Sequence, residues 1–120
     1  YYPINDLTRQ FARIREVTQR EEKPFLFMEC GCPSRKGSEF VPNDWRFGGE
    51  QDNESQRIWF EAFTEEIKRS PWIQGVAWWD WSAVDLYPEA QGATDDGYAF
   101  YAKPAGEYVR GLGQWAHENA

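Results

Sequence analysis

The sequence predicts an α/β fold with parallel strands, and three observations support this prediction. Amphipathic segments of helix length alternate with short apolar segments of strand length along the 120 residues. The strand-like segments are almost continuously apolar, which is typical of parallel strands covered by helices. Each is followed by a long polar loop rich in glycine or proline. The order helix, strand, loop, helix, strand, loop, helix implies parallel strands joined by right-handed crossovers.

Three segments have the periodicity of amphipathic helices. The first covers residues 5–21, the second begins near Asn53 and the third begins near Pro104. Gln56 lies three residues after Asn53, which is the spacing of a capping box. The predicted buried faces consist of Leu7, Phe11, Ile14 and Val17, then Trp59, Phe63 and Ile67, then Ala105, Tyr108, Val109, Leu112 and Trp115.

Two segments are predicted to be strands. The first is Phe25–Cys30, a run that Pro24 precedes and Gly31 ends, and it is expected to be covered on both faces. The second is the central part of residues 72–81. Two strands do not close a sheet. A (β/α)8 barrel needs about 250 residues, so within such a barrel this chain would be roughly the last third to half.

Composition excludes several classes of partner. The formal net charge is −7 and the pI is near 4.7. Because no stripe of Lys and Arg is present to neutralise phosphates, neither nucleic acid nor an anionic membrane surface is an expected partner. No apolar run approaches the roughly 20 residues of a membrane-spanning helix.

The first residues, 1–4, contain no initiator methionine and no signal-peptide pattern. We therefore interpret the chain as an internal piece of a longer protein and leave its compartment open. Cys30 and Cys32 are separated by one residue, which favours reduced thiols because a disulfide at this spacing would be strained.

Both long loops follow the carboxyl ends of strands, where parallel α/β proteins build their active sites. Glu29 lies at that end of the first strand, after four apolar residues. A carboxylate at this position is either held for chemistry or caps the strand and forms an ion pair with a neighbour. Trp78, Trp79 and Trp81 cluster at the same end of the second strand, where strand alternation would place Trp79 and Trp81 on one face.

Tryptophan faces suit the C–H faces of sugar rings, although Trp78 or Trp79 is also a candidate for the core.

Other kinds of catalytic or binding site lack support in the sequence. His117 is the only histidine and lies near the chain end, so a Ser/His/Asp or Cys/His arrangement within this chain is not expected. No phosphate-binding glycine loop and no metal-ligand spacing is present, and we predict no cofactor and no metal.

Three segments together resemble the closing part of clan A glycoside hydrolases, and most of all glycoside hydrolase family 113, the β-mannanases. They are residues 24–31 (PFLFMECG), residues 74–81 (QGVAWWDW) and residues 97–105, which end in Lys103-Pro104-Ala105. The resemblance implies the C-terminal portion of a (β/α)8 TIM barrel, from the end of strand 6 through helix 6, strand 7, helix 7 and strand 8 to helix 8. Residues 1–120 would form one partial domain.

The resemblance also implies roles for particular residues. Glu29 corresponds to the catalytic nucleophile at the end of the seventh strand, and Trp81 to the tryptophan beneath the sugar at the cleavage point. Trp79 and Trp45 are further candidate sugar contacts. Tyr2, or Tyr1 if the register shifts by one, corresponds to the sixth-strand tyrosine that contacts the nucleophile.

The predicted function is therefore that of the C-terminal part of a retaining β-glycoside hydrolase that resembles endo-β-1,4-mannanases. The general acid/base would lie on the fourth strand, outside this chain, so these residues alone are expected to be inactive. The expected partners are a polysaccharide or oligosaccharide and the segments, or a second chain, that cover the open sheet edges. Two alternatives remain: a sugar-binding module without catalysis, and a structural piece that pairs through its sheet edges.

Overall fold

The computed structural model describes residues 3–81 and 89–120. The elements in chain order are α1 (Pro3–Glu21), β1 (Phe25–Cys30), α2 (Asn53–Lys68), β2 (Ile73–Trp78) and α3 (Ala105–Glu118). Short 3₁₀ helices at Ser38–Phe40 and Glu89–Ala93 interrupt the two long loops. The predicted alternation is confirmed, and α1 begins two residues earlier than predicted. None of the helices in the described ranges has the length and apolar character needed to cross a membrane.

The two strands pair in parallel, as predicted. Phe27 lies opposite Val76, and the pairing is irregular between Phe27 and Cys30. A Cβ atom at Gly75 would lie 2.8 Å from Cδ2 of Leu26, so a larger residue at this position would require the exposed Leu26 side chain to shift. The parallel pair therefore places the carboxyl ends of β1 and β2 side by side, together with the loops that follow them.

The helices cover one face of this sheet. Phe27, Val76 and Trp78 are partly buried and pack against the hydrophobic core. On the other face, 51% of Leu26 and 75% of Met28 remain exposed. The prediction that β1 is covered on both faces is therefore wrong for the described residues, because no element of residues 3–81 and 89–120 packs over Leu26 and Met28.

Aromatic side chains of α2 form the centre of the core. Trp59 stacks on Phe63 with the ring centroids 4.6 Å apart, and Phe60 stacks on Trp78 at 5.4 Å. Aromatic pairs of this kind add about 0.5–1.5 kcal/mol to the stabilisation from burial alone. The predicted stripe of Trp59, Phe63 and Ile67 is buried, which confirms the orientation of α2.

The start of α2 differs from the predicted capping box. The Asp52 carboxylate accepts hydrogen bonds from the backbone N–H groups of Glu54 and Ser55, and thus caps the helix. Gln56 is fully buried instead, and its Nε2 donates to the carbonyl oxygens of Cys32 and Ala99. Because the Asp52 carboxylate already caps the start of α2, Gln56 is not needed for capping. Its side chain instead joins the two loops that follow β1 and β2.

Candidate active site

An open cleft of about 910 Å³ lies at the carboxyl end of β1. Glu29 and Trp79 line it from the strand ends, Trp45 from the loop after β1, and Tyr98 from the segment before α3. Phe11 and other side chains of α1 and α2 also line it. The structure therefore brings together three of the residues predicted from the sequence, which are Glu29, Trp45 and Trp79.

Glu29 lines this cleft from the end of β1. It is exposed, as is Met28 before it, where the pairing of β1 with β2 is irregular. Among residues 3–81 and 89–120, no hydrogen bond or ion pair reaches the Glu29 side chain. The alternative in which Glu29 caps the strand and forms an ion pair with a neighbour therefore has no contact to support it.

Trp79 is held beside Glu29 by the ends of the two strands. Its backbone N–H donates to the Cys30 carbonyl oxygen at 2.7 Å. A Cβ atom on Gly31 would lie only 1.7 Å from the Trp79 carbonyl oxygen, so only glycine fits where these backbones meet. The peptide bond between Trp79 and Asp80 is cis. The Trp79 side chain is 48% exposed, which leaves part of the indole open to the cleft.

Trp45 forms the outer wall of the cleft. The Arg35 guanidinium holds its loop by donating to the carbonyl oxygens of Trp45, at 3.2 Å, and Phe47, at 2.7 Å. The Trp45 side chain is 69% exposed, and the Arg46 guanidinium lies 5.9 Å from its ring centroid. A fixed backbone thus carries an exposed aromatic face, which suits stacking against a sugar ring.

Tyr98 and Glu39 are among the cleft-lining residues that sequence reasoning did not single out. The Tyr98 hydroxyl donates to the Pro42 carbonyl oxygen at 2.9 Å. Burial, with smaller contributions from nearby acidic groups that include Glu29, raises the pKa of Tyr98. Tyr98 lies in the segment that carried the family resemblance, so a signal for it existed. Glu39 lies in a loop without periodicity, which offered no such signal.

Trp81 is not among the described residues that line this cleft. Strand β2 ends at Trp78, so strand alternation does not extend to Trp81. Trp81 instead lines a second depression of about 680 Å³ beside α3, and its ring lies 5.4 Å from those of Phe100 and Tyr101. Tyr2 and Tyr1 lie outside the described residues. Within those residues, no three His, Cys, Asp or Glu side chains are grouped as a metal site.

Cys30, which lines the cleft, and Cys32 are free cysteines in the structure, and their reduced state stays a prediction. Cys32 is fully buried, and its Sγ lies 3.3 Å from the Ser38 hydroxyl. Burial raises the pKa of Cys30 to about 12. Burial also raises the pKa of Cys32 to about 12, although the Ser38 hydrogen bond acts in the opposite direction.

These pKa values predict a loss of stability in alkaline solution. Between pH 9 and 12 the unfolded chain loses the thiol protons that the folded chain keeps, so folding stability falls as pH rises, by up to about 1.4 kcal/mol for each thiol and pH unit. Urea unfolding of a complete protein that contains this chain would be measured from pH 8 to 11. Its free energy of unfolding should fall more steeply with pH than that of its C30A/C32A variant. Equal slopes would contradict the prediction.

Comparison with known proteins gives the class of this chain. The sequence profile of Glycoside Hydrolase Family 113 matches residues 1–103. The structure of a GH113 β-1,4-mannanase aligns with a TM-score of 0.86 and 38% sequence identity. A complex structure of a GH113 β-1,4-mannanase aligns with a TM-score of 0.86 and 37% sequence identity. A GH113 β-mannanase from Alicyclobacillus acidocaldarius, in complex with ManMIm, aligns with a TM-score of 0.82 and 35% sequence identity. Each alignment covers 95% of this chain. No curated protein matches.

The fold and the profile together define a member of the glycoside hydrolases. More narrowly, this chain belongs to glycoside hydrolase family 113. The family resemblance inferred from the sequence is thereby confirmed. The chain spans only 36–37% of the length of the enzymes it aligns with. Its mixed α/β fold corresponds to part of the barrel of those enzymes.

Proposed function

We propose that this chain forms the C-terminal part of a retaining β-glycoside hydrolase that cleaves β-1,4-mannan, with Glu29 as the nucleophile. One observation carries the proposal: Glu29 is an exposed carboxylate at the carboxyl end of a parallel strand, in a cleft that it shares with Trp79, and no ion pair reaches it from residues 3–81 and 89–120. Family membership and the β-mannanases among the aligned structures support the substrate class.

The proposed reaction has two steps. The ionised Glu29 carboxylate attacks the anomeric carbon and forms a glycosyl ester, while the bond from that carbon to the leaving oxygen breaks. A second carboxylic acid, supplied from outside this chain, gives its proton to the leaving oxygen. The same group then removes a proton from water, which displaces Glu29 and releases the sugar. In a retaining enzyme the two carboxyl groups lie about 5–5.5 Å apart.

In this proposal the tryptophans contact different parts of the substrate. The position of Trp79 beside Glu29 favours Trp79 over Trp81 as the face beneath the sugar at the cleavage point. Trp45 would contact a neighbouring sugar farther along the cleft. Trp81 would act at a distance from Glu29, because it lines the depression beside α3.

Completion of the barrel is the second part of the proposal. We assign β1 and β2 as the seventh and eighth barrel strands and α1 as the sixth helix. The other barrel segments would cover Leu26 and Met28, whose exposure leaves a large apolar area in contact with water. They would also supply the acid/base. Without them the chain is expected not to hydrolyse any glycoside.

The test uses a complete enzyme that contains this chain. Incubated with β-1,4-mannooligosaccharides and followed by proton NMR, it should release the β-anomer first and the α-anomer only by later mutarotation. Cello-oligosaccharides serve as the matched control for the sugar and should react far more slowly. First release of the α-anomer would overturn the retaining mechanism. Binding of the oligosaccharide without hydrolysis would favour a sugar-binding module.

A further inference from the structure

A buried ammonium group connects the two loops behind the cleft. The side chain of Lys103 is fully buried, and its Nζ donates to the Ser34 hydroxyl and to the Asp95 carboxylate, each at 2.7 Å. A third, longer bond of 3.3 Å reaches the Gly97 carbonyl oxygen. All three protons of the ammonium group therefore have acceptors, and none of them faces the cleft. We refer to Ser34, Asp95, Gly97 and Lys103 as the Lys103 clasp.

The clasp joins segments that are distant in the sequence. Ser34 belongs to the loop after β1, while Asp95, Gly97 and Lys103 precede α3. Backbone contacts reinforce the junction, since the Ser34 N–H donates to the Gly97 carbonyl oxygen at 3.0 Å. The Asp95 carboxylate also accepts from the Gly97 N–H at 3.2 Å. Lys103 is the buried cation at the point where the two loops meet, and a partly exposed ion pair between Arg35 and Asp96 joins the same loops at 3.3 Å.

The clasp lies next to residues that shape the cleft. Gly97 is followed directly by Tyr98, which lines the cleft and whose hydroxyl donates to the Pro42 carbonyl oxygen. On the other loop, Ser34 lies three residues after Gly31, where the backbone meets Trp79. A shift at the clasp would therefore move Tyr98 and the wall formed by Pro42 and its neighbours.

We propose that Lys103 is a positioning residue that sets the width of the cleft by locking the two loops together. The proposal deepens the proposed function and depends on it for the identity of the ligand. Lys103 does not contact the sugar in this account. It acts through Gly97 and Tyr98 on one side of the cleft and through Ser34 on the other.

The first test measures kinetics in a complete enzyme that contains this chain. We expect K103M to raise KM for β-1,4-mannooligosaccharides at least fivefold at a temperature where the variant is fully folded. R57M is the matched control, because Arg57 is also a cation with several acceptors, Glu54, Glu61 and Tyr108, but it joins α2 to α3 away from the cleft. R57M should leave KM unchanged. An unchanged KM in K103M would overturn the proposal.

The second test is independent of catalysis and uses Cys32, a fully buried thiol two residues before Ser34. In a C30A background, the clasp variants should increase the rate at which a thiol reagent labels Cys32 by at least tenfold, since labelling requires the loops to open. S34A removes only one acceptor and serves if K103M does not fold. Labelling as slow in S34A as in its parent would overturn the proposal.

The two readouts separate this inference from the proposed function. If a complete enzyme does not hydrolyse mannan, the proposed function fails, yet the Cys32 labelling rates still decide whether Lys103 locks the loops. If hydrolysis is seen but labelling and KM are the same in K103M as in R57M, Lys103 contributes only to stability and the inference is wrong.

Discussion

Replacing Glu29 by glutamine is expected to lower kcat/KM for β-1,4-mannooligosaccharides by at least about 1,000-fold in a complete enzyme, equivalent to about 4 kcal/mol of transition-state stabilisation. Glutamine retains the shape of the side chain but cannot form the glycosyl ester that the proposed mechanism requires. Because Glu29 has no ion pair in the described residues, the substitution leaves no partner without its charge. Steady-state kinetics together with an unchanged unfolding curve would check this expectation.

Glu39 offers a matched control for the loss of a carboxylate. It lines the same cleft from the loop after β1, and its Oε2 atom is buried without a hydrogen-bond partner in the described residues. We expect E39Q to keep kcat within about tenfold of the parent, since no step of the proposed mechanism uses this group. A large loss of activity toward β-1,4-mannooligosaccharides in E39Q, together with a small loss in E29Q, would contradict the assignment of Glu29.

The largest expected effect on stability comes from Gly31. An alanine Cβ there would lie 1.7 Å from the Trp79 carbonyl oxygen and 2.9 Å from its carbonyl carbon. Since both atoms belong to the backbone of the segment after β2, the ends of the strands would have to move apart. G31A should lower the free energy of unfolding by at least about 3 kcal/mol, at the upper end of overpacking effects. Urea unfolding would measure the change.

Gly48 is the matched control for this substitution. It lies in the same loop, and a Cβ atom on it would meet no atom within 4 Å. G48A should therefore change the free energy of unfolding by no more than about 0.5 kcal/mol. If G31A were as mild as G48A, the close approach of the strand ends would not be a constraint on the fold.

Sequence periodicity predicted the helices and strands of this fold well where nearby residues determine where an element begins, ends or faces the core. The β1 boundaries follow from Pro24 before the strand and Gly31 after it, and α2 follows from its stripe of Trp59, Phe63 and Ile67. The predicted role of Gln56 was wrong because capping is decided by which side chain reaches the helix end. Asp52 occupies that place, and only the packing of the loops shows where Gln56 goes instead.

The candidate site was predictable only in part. Glu29 could be singled out because a charge at the end of an apolar strand is unusual. The grouping of Trp45 and Trp79 around it depends on how a long loop folds back, and the separate position of Trp81 depends on where β2 ends. Lys103 shows the same limit, since nothing near it in the sequence indicates burial of its ammonium group against Ser34, more than sixty residues away.

The central claim is that Glu29 forms a covalent bond with the sugar, and trapping of that bond tests it most directly. A complete enzyme would be treated with an activated 2-deoxy-2-fluoro-β-mannoside, whose fluorine slows hydrolysis of the glycosyl ester, and then digested for peptide mass spectrometry. The account predicts that the fluorosugar is attached to Glu29 alone and that E29Q remains unlabelled. Attachment to Glu39 or to any other carboxylate, with Glu29 unmodified, would contradict it.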